Sequence, residues 1–293
     1  MSTTDTTDDT NNINNTNDTN VTNTINTTIE SDVNYKKKVN GIILILSCQR
    51  YKTTRLKEFS LQKTSYNNWE VIYVIGDLFM EKNYILDGNF LYVKCEDSYL
   101  HLLKKLVLSI KYLNEIFIIN EGILRCGDDL IINENNLIKF LDDRTTKYDY
   151  YGQNPKGKNY ICSKNTGNDL KKIKKDNFMI DYYSRHRDDF LNPQHNLKNV
   201  NISLYSMRPD IYGAAGVIYY ISNKACNILI QHMEKINYNI LQYDSFTKSY
   251  PYTIEDCAVS FIMYFKGINF IHSFLFYNSP FQDTIAKHTN RYK

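Results

Sequence analysis

Apolar residues are sparse over the first 33 positions and become continuous from Gly41, where Ile42-Ile43-Leu44-Ile45-Leu46 forms the run that a strand buried on both faces requires. Val71-Ile72-Tyr73-Val74-Ile75 repeats it. Leu56, Phe59 and Leu61 between them predict a crossover helix joining two parallel strands. From Tyr99 to Leu113 the residues Leu102, Leu103, Leu106, Ile110 and Leu113 recur at helical spacing, predicting a helix with one core-facing stripe. Gly122 to Cys126 reads as a central strand that ends at Gly127-Asp128-Asp129, and Asn133 to Leu141 returns to helical periodicity. Residues 153–208 are polar, Lys-rich and poorly periodic, which predicts long loops around a site. Beyond them Gly213-Ala214-Ala215-Gly216 leads into a strand over 217–221, Ser222 caps a helix to about Lys235, and Ile254 to Phe265 forms another. Strands alternating with helices predict an α/β domain over 39–293 with a mixed sheet between helices, behind a tail of residues 1–38.

That tail changes how the composition is read. Nineteen of its first thirty residues are Thr or Asn, too polar to offset ordering entropy by burial, so disorder is expected, and its Asn-x-Thr sequons at Asn14, Asn17, Asn20 and Asn26 follow from composition. Residues 1–33 hold six acids and no Lys or Arg, which leaves 35 basic against 26 acidic residues in the remainder, about +9. Such an excess suits an anionic partner, and it also suits a solvated surface in a chain rich in the AT-encoded residues Lys, Asn, Ile and Tyr. The same bias points to a protist or large DNA virus as source. No apolar window is long enough to span a bilayer and no secretory signal precedes the domain, so no transmembrane segment and a cytoplasmic location are expected. Six cysteines without a C-x-x-C pair argue against a zinc site and for free buried thiols. The Lys-rich 156–175 stretch lacks interleaved aromatic platforms, so no nucleic-acid partner is expected.

Two acidic pairs carry candidate chemistry. Gly127-Asp128-Asp129 places two carboxylates at the carboxyl end of a strand, where open α/β sheets bind ligands and where hard oxygens would select Mg²⁺ or Mn²⁺ on a diphosphate; the same tripeptide also makes an ordinary turn. Glu255-Asp256 opens a helix, where acids favour the N-terminal dipole; a carboxylate there can also act as general base toward a hydroxyl.

The order of segments resembles the galactosyltransferase and Fringe group of β-1,3-glycosyltransferases (glycosyltransferase family 31) from Gly41 to about His272. Asp97-Ser98-Tyr99-Leu100-His101-Leu102-Leu103-Lys104-Lys105 is similar to the family's D-S-Y-x-N-L-T-x-K block, and Arg125-Cys126-Gly127-Asp128-Asp129-Leu130-Ile131-Ile132-Asn133 to K-x-D-D-D-V-F-V-N. Gly213 to Ser222 resembles the small-residue turn before Y-V-x-S. Glu255-Asp256-Cys257-Ala258-Val259-Ser260, followed by Lys266-Gly267-Ile268, resembles E-D-V-x-x-G and K-x-G-I.

The resemblance implies a single GT-A domain, Rossmann-like, that uses a UDP-sugar donor, Mn²⁺ (or Mg²⁺) and a glycan or glycoprotein acceptor in an inverting, β-1,3-forming hexosyl transfer. Asp256 would be the base, with Glu255 and Gly216 at the acceptor. Asp129 would hold the metal, with Asp128 on the ribose or metal shell and His272 as the late metal-binding histidine. Ser47, Arg55 and Lys105 would meet the nucleotide. Gly127 stands where the family's first metal-site Asp belongs, so a non-catalytic carbohydrate- or nucleotide-binding relative is the alternative.

Overall fold

A computed structural model describes residues 36–59, 61, 63–143, 148–154, 211–277 and 280–289. The Thr/Asn tail up to residue 35, most of the expected 153–208 loops, Cys162, His186 and His195 lie outside them.

The first apolar run forms β1 (Lys37–Leu46), which begins four residues earlier than the pattern predicts. Its residues alternate between two cores, as a strand buried on both faces must: Ile42, Leu44 and Leu46 join one hydrophobic cluster, and Ile43 and Ile45 the other. Among the described residues the predicted crossover helix is absent. A short 3-10 turn (Gln49–Tyr51) and successive turns occupy that stretch, with Leu56, Phe59 and Leu61 buried in them. The chain then returns through a hairpin of β2 (Ser65–Tyr66) and β3 (Trp69–Gly76), turned by Asn67 and Asn68 at φ 48° and 62°, the two left-handed positions that a two-residue hairpin loop needs and Asn tolerates. Three apolar residues at spacings of three and two do not sustain a helical stripe, and the hairpin takes the residues that a helix would have used.

A second hairpin that the pattern did not reveal, β4 (Tyr84–Asp87) and β5 (Phe90–Val93), closes one edge. α1 (Leu102–Ile116) starts three residues after the predicted point, beyond Ser98, whose hydroxyl accepts from the His101 N–H and bonds its ring. β6 (Phe117–Gly127) is the central strand, followed by β7 (Leu130–Ile132), α2 (Glu134–Asp142), capped by the Asn133 side chain, and β8 (Tyr150–Gly152). β9 (Ile218–Ser222), α3 (Asn223–Lys235) capped by Ser222, α4 (Glu255–Phe265), β10 (Phe270–His272) and β11 (Ala286–His288) complete the order.

Among the described residues these strands form one mixed sheet in the order β10-β8-β9-β6-β1-β3-β5-β4, with β2 on β3, and a separate β7–β11 pair. α1, α3 and α4 cover one face, and α2 with Phe276 and Ile285 covers the other. The expected α/β class with a mixed sheet between helices is observed. Trp69 lies flat against β1 because Gly41 has no side chain: a Cβ there would stand 2.3 Å from the indole. No helix of the described residues is long and apolar enough to cross a membrane.

Candidate active site

Strand directions decide where the chemistry gathers. β9 runs against β6 and β8 against β9, so β6, β8 and β10 point the same way as β1 and β3. One sheet edge therefore holds Ser47, Gly76, the Gly127-Asp128-Asp129 corner, Gly152 to Asn154 and His272, with the turn that enters β9 set among them. β1 pairs with β3 on one side and β6 on the other, so the connection order reverses at β1, and the crevice outside that point is where open α/β sheets bind ligands.

Across this switch point the Ser47 hydroxyl donates to Asp128 Oδ2 at 2.7 Å, and Arg55 Nη1 donates to Asp128 Oδ1 at 2.9 Å. The Arg55 guanidinium lies 3.7 Å over the Tyr51 ring. Burial works against its charge, but the bond to Asp128 outweighs that and holds Arg55 above its ordinary value. Lys105, rising from α1, sits beneath: its ammonium donates to Asp97 Oδ1 at 2.8 Å and to the Ser47 carbonyl at 2.5 Å. Burial opposes this charge too, and Asp97 reverses the shift. Asp97 in turn accepts from the backbone N–H of Gln49 at 2.7 Å, so Lys105 and Asp97 together fix the loop after β1.

Asp129 lies on the open side of the corner. Its Oδ2 is 3.0 Å from His288 Nε2, and its carbonyl accepts from the Thr289 N–H at 2.9 Å, because β11 pairs with β7 immediately after the acidic corner. Both side chains are about one-third exposed. A Cβ on Gly127 would stand 3.0 Å from Asp129 Oδ1, so the glycine leaves that oxygen its space.

Asp256 opens α4. Its Oδ2 accepts from the Gly216 N–H and its Oδ1 from the Cys257 N–H, each at 2.9 Å. Behind it Glu255 is buried, paired with Arg125 Nη2 at 2.9 Å and hydrogen-bonded by the Tyr219 hydroxyl. Burial pushes the Glu255 carboxyl up, Arg125 pulls it down, and the charge of Asp256 adds to the rise. Arg125 Nη1 also donates to the Gly216 carbonyl at 2.5 Å, and the Gly127 N–H donates to the Val217 carbonyl at 2.9 Å. The Gly216-Val217 turn is thus clasped between the strand that carries Asp129 and the helix that carries Asp256.

His272 stands elsewhere on the edge. Its Nδ1 accepts from the Asn154 N–H at 3.1 Å, the Asn154 amide donates to the Gly213 carbonyl, and its ring meets Phe274 edge-on at 4.6 Å. The imidazole beside Asp129 is that of His288.

The donor set fits a divalent ion at Asp129 and His288, one hard oxygen and one imidazole nitrogen, since such ions are often held by one or two protein groups while substrate phosphates and water fill the rest. Asp128 fits less well, because both its oxygens already accept from Ser47 and Arg55. No group of three or more potential ligands is assembled among the described residues.

Arg125, Tyr219 and His288 were not singled out from the sequence. Arg125 had a signal: a guanidinium inside the apolar run Ile123-Leu124-Arg125-Cys126 demands a buried anion. His288 had none, because the two short strands that deliver it carry no legible pattern.

No family model matches the chain, and no curated protein does. Among solved structures, the chain is distantly similar to the crystal structure of mouse xyloside xylosyltransferase 1 in its apo form, at 7% identity and a TM-score of 0.37, the match covering 87% of this chain and 98% of that one.

Proposed function

We propose that residues 39–293 form one glycosyltransferase domain of the GT-A type, allied to family 31, that moves a hexose or N-acetylhexosamine from a UDP-sugar to a hydroxyl of a glycan or glycoprotein. The observation that carries the reading is the clasp at Gly216-Val217, which joins the Asp129 strand and the Asp256 helix at one end of the sheet. Each half alone has an ordinary structural explanation. Their assembly at the switch point supports a single site.

In this reading the acceptor oxygen attacks the anomeric carbon as the bond from that carbon to the diphosphate oxygen breaks, and the hydroxyl proton passes to Asp256. The two backbone N–H donors orient that carboxylate and leave it lone pairs for the acceptor. Glu255, held by Arg125 and Tyr219, acts through the position of Asp256 and the turn. Ser47 and Arg55 fix Asp128 at the nucleotide side. Asp129 and His288 would hold Mn²⁺ or Mg²⁺, which when bound supplies positive charge for the departing diphosphate.

Titration calorimetry with UDP, with and without Mn²⁺, tests the metal half of the proposal. Binding should require the ion, and Asp129→Asn and His288→Gln should each weaken it about tenfold or more. UDP binding that ignores Mn²⁺ and both substitutions would contradict it. Gly127, lacking the acid expected there, favours a second reading as a binding module, which metal-independent UDP binding with no turnover would support.

A further inference from the structure

Four aromatic side chains at the far end of α4 face solvent: Phe246 is 63% exposed, Tyr264 54%, and Tyr243 and Phe265 46% each. Three of them form a connected surface, while Tyr243 meets Tyr250 at 5.5 Å. Phe246 meets Phe265 edge-on at 5.0 Å, Tyr264 meets Phe265 at 5.4 Å, and Phe265 rests on the buried Phe261 at 4.8 Å.

The loop that presents Phe246 is built, not slack. Asp244 and Ser249 exchange backbone hydrogen bonds at 2.9 and 3.3 Å, the Thr247 N–H donates to Asp244 Oδ1 at 2.7 Å, and the Ser249 hydroxyl donates to Thr247 Oγ1 at 2.8 Å. These bonds close the loop on its polar side and hold the phenyl ring outward. Beyond its edge-on contact with Phe265 the Phe246 ring keeps most of its surface in water, although fully burying such a ring is favourable by about 1.5–3 kcal/mol.

The charge around the rings is positive. Lys248 follows Phe246 by two residues, Lys266 follows Phe265, and both are exposed. The field reaches inward: His232, which bonds the Tyr252 hydroxyl at 3.0 Å, is pushed down to about 4 by burial and then by Lys266 and Lys235, with Asp244 opposing. Asp244 also has one oxygen engaged by its own loop. Aromatic rings set among lysines match the interface of an anionic bilayer, where rings enter at headgroup depth and ammonium groups meet lipid phosphates and carboxylates.

We infer that the Phe246, Tyr264 and Phe265 surface with Lys248 and Lys266 docks the protein on an anionic membrane. Phe265 follows Asp256 by nine residues, about 14 Å along the helix, so docking leaves the opposite end of α4 clear of the lipid.

Flotation of the full chain with vesicles of phosphatidylcholine alone, or mixed with phosphatidylserine, tests this without any assumption about catalysis. The protein should float with the mixed vesicles, fail to float with neutral ones, and be released by high salt. Phe246→Ser should weaken partitioning about tenfold. Lys248→Ala and Lys266→Ala should each weaken it about fivefold. All three variants should unfold like the wild type by Trp69 fluorescence. No flotation, equal flotation on neutral vesicles, or flotation that survives Phe246→Ser would overturn the inference. Retention on immobilised glycans or an acidic protein, lost with Phe246→Ser while vesicles are ignored, would assign the surface to that partner and overturn it equally.

Discussion

Replacing Arg125 with Met should be among the most damaging single changes in the described structure, and the reason is a matter of sums. Arg125 and Glu255 are 5% and 4% exposed, so removing the cation leaves a carboxylate in a site with almost no water. Breaking such a pair from one side costs about 3–5 kcal/mol, most of it the penalty of the stranded charge. Loss of the donor to the Gly216 carbonyl acts on the same group of atoms and is not simply added. A loss of about 4 kcal/mol in a domain of this size lowers Tm by about 10 °C. The only tryptophan, Trp69, is 1% exposed and reports global unfolding in guanidinium. The decisive comparison is a cycle of Arg125→Met, Glu255→Leu and the double variant, since removing both partners strands no charge. The double variant should be more stable than the two single losses predict by about 2 kcal/mol or more. A single-variant loss below about 1 kcal/mol, or additivity within about 0.5 kcal/mol, would refute the clasp as a coupled unit.

Three further outcomes follow from the packing. His232 has its folded value depressed to about 4 from 6.5, so it contributes stability that is present above pH 6.5 and is lost as pH falls toward 4; His232→Gln should flatten that part of the unfolding free energy against pH, and an unchanged slope would contradict it. Gly41→Ala should cost about 1–3 kcal/mol in denaturant unfolding, because its methyl group collides with the indole; a neutral result would show that Trp69 has room to move. Gly127→Ala should leave Tm within a few degrees of wild type while weakening Mn²⁺-dependent UDP binding, because the new Cβ presses on Asp129 Oδ1; undiminished binding would mean that this oxygen does not serve the ion.

Long periodic elements were legible because burial is written into spacing. β1, β3, β6, α2, α3 and α4 fall within a few residues of their predicted places, and Asn133 and Ser222 cap the helices that their chemistry suggests. The 47–68 connection was misread because its buried Leu56 and Phe59 mimic one turn of a helix while Asn67-Asn68 determines the path. Strands of three or four residues, such as β8, β10 and β11, are too short for alternation to register. That is also why the histidine beside Asp129 went unseen: its position depends on a pairing between residues more than 150 apart in the chain, which local pattern does not encode. The acidic corner and the α4 acids were visible as motifs, whereas the bonds that bring them together run through backbone atoms of Gly127, Gly216 and Val217.

The central claim is that Asp256 accepts a proton in a sugar transfer. UDP release from a panel of UDP-sugars with Mn²⁺ and mixed glycoside acceptors, comparing wild type with Asp256→Asn, tests it most directly, since the amide keeps an oxygen for the Gly216 N–H while it loses basicity and the acceptor of the Cys257 N–H. Acceptor-dependent release by the wild type, reduced about a hundredfold or more in Asp256→Asn, is the predicted result. Equal release from both proteins, or none from the wild type with any donor and acceptor, would contradict it.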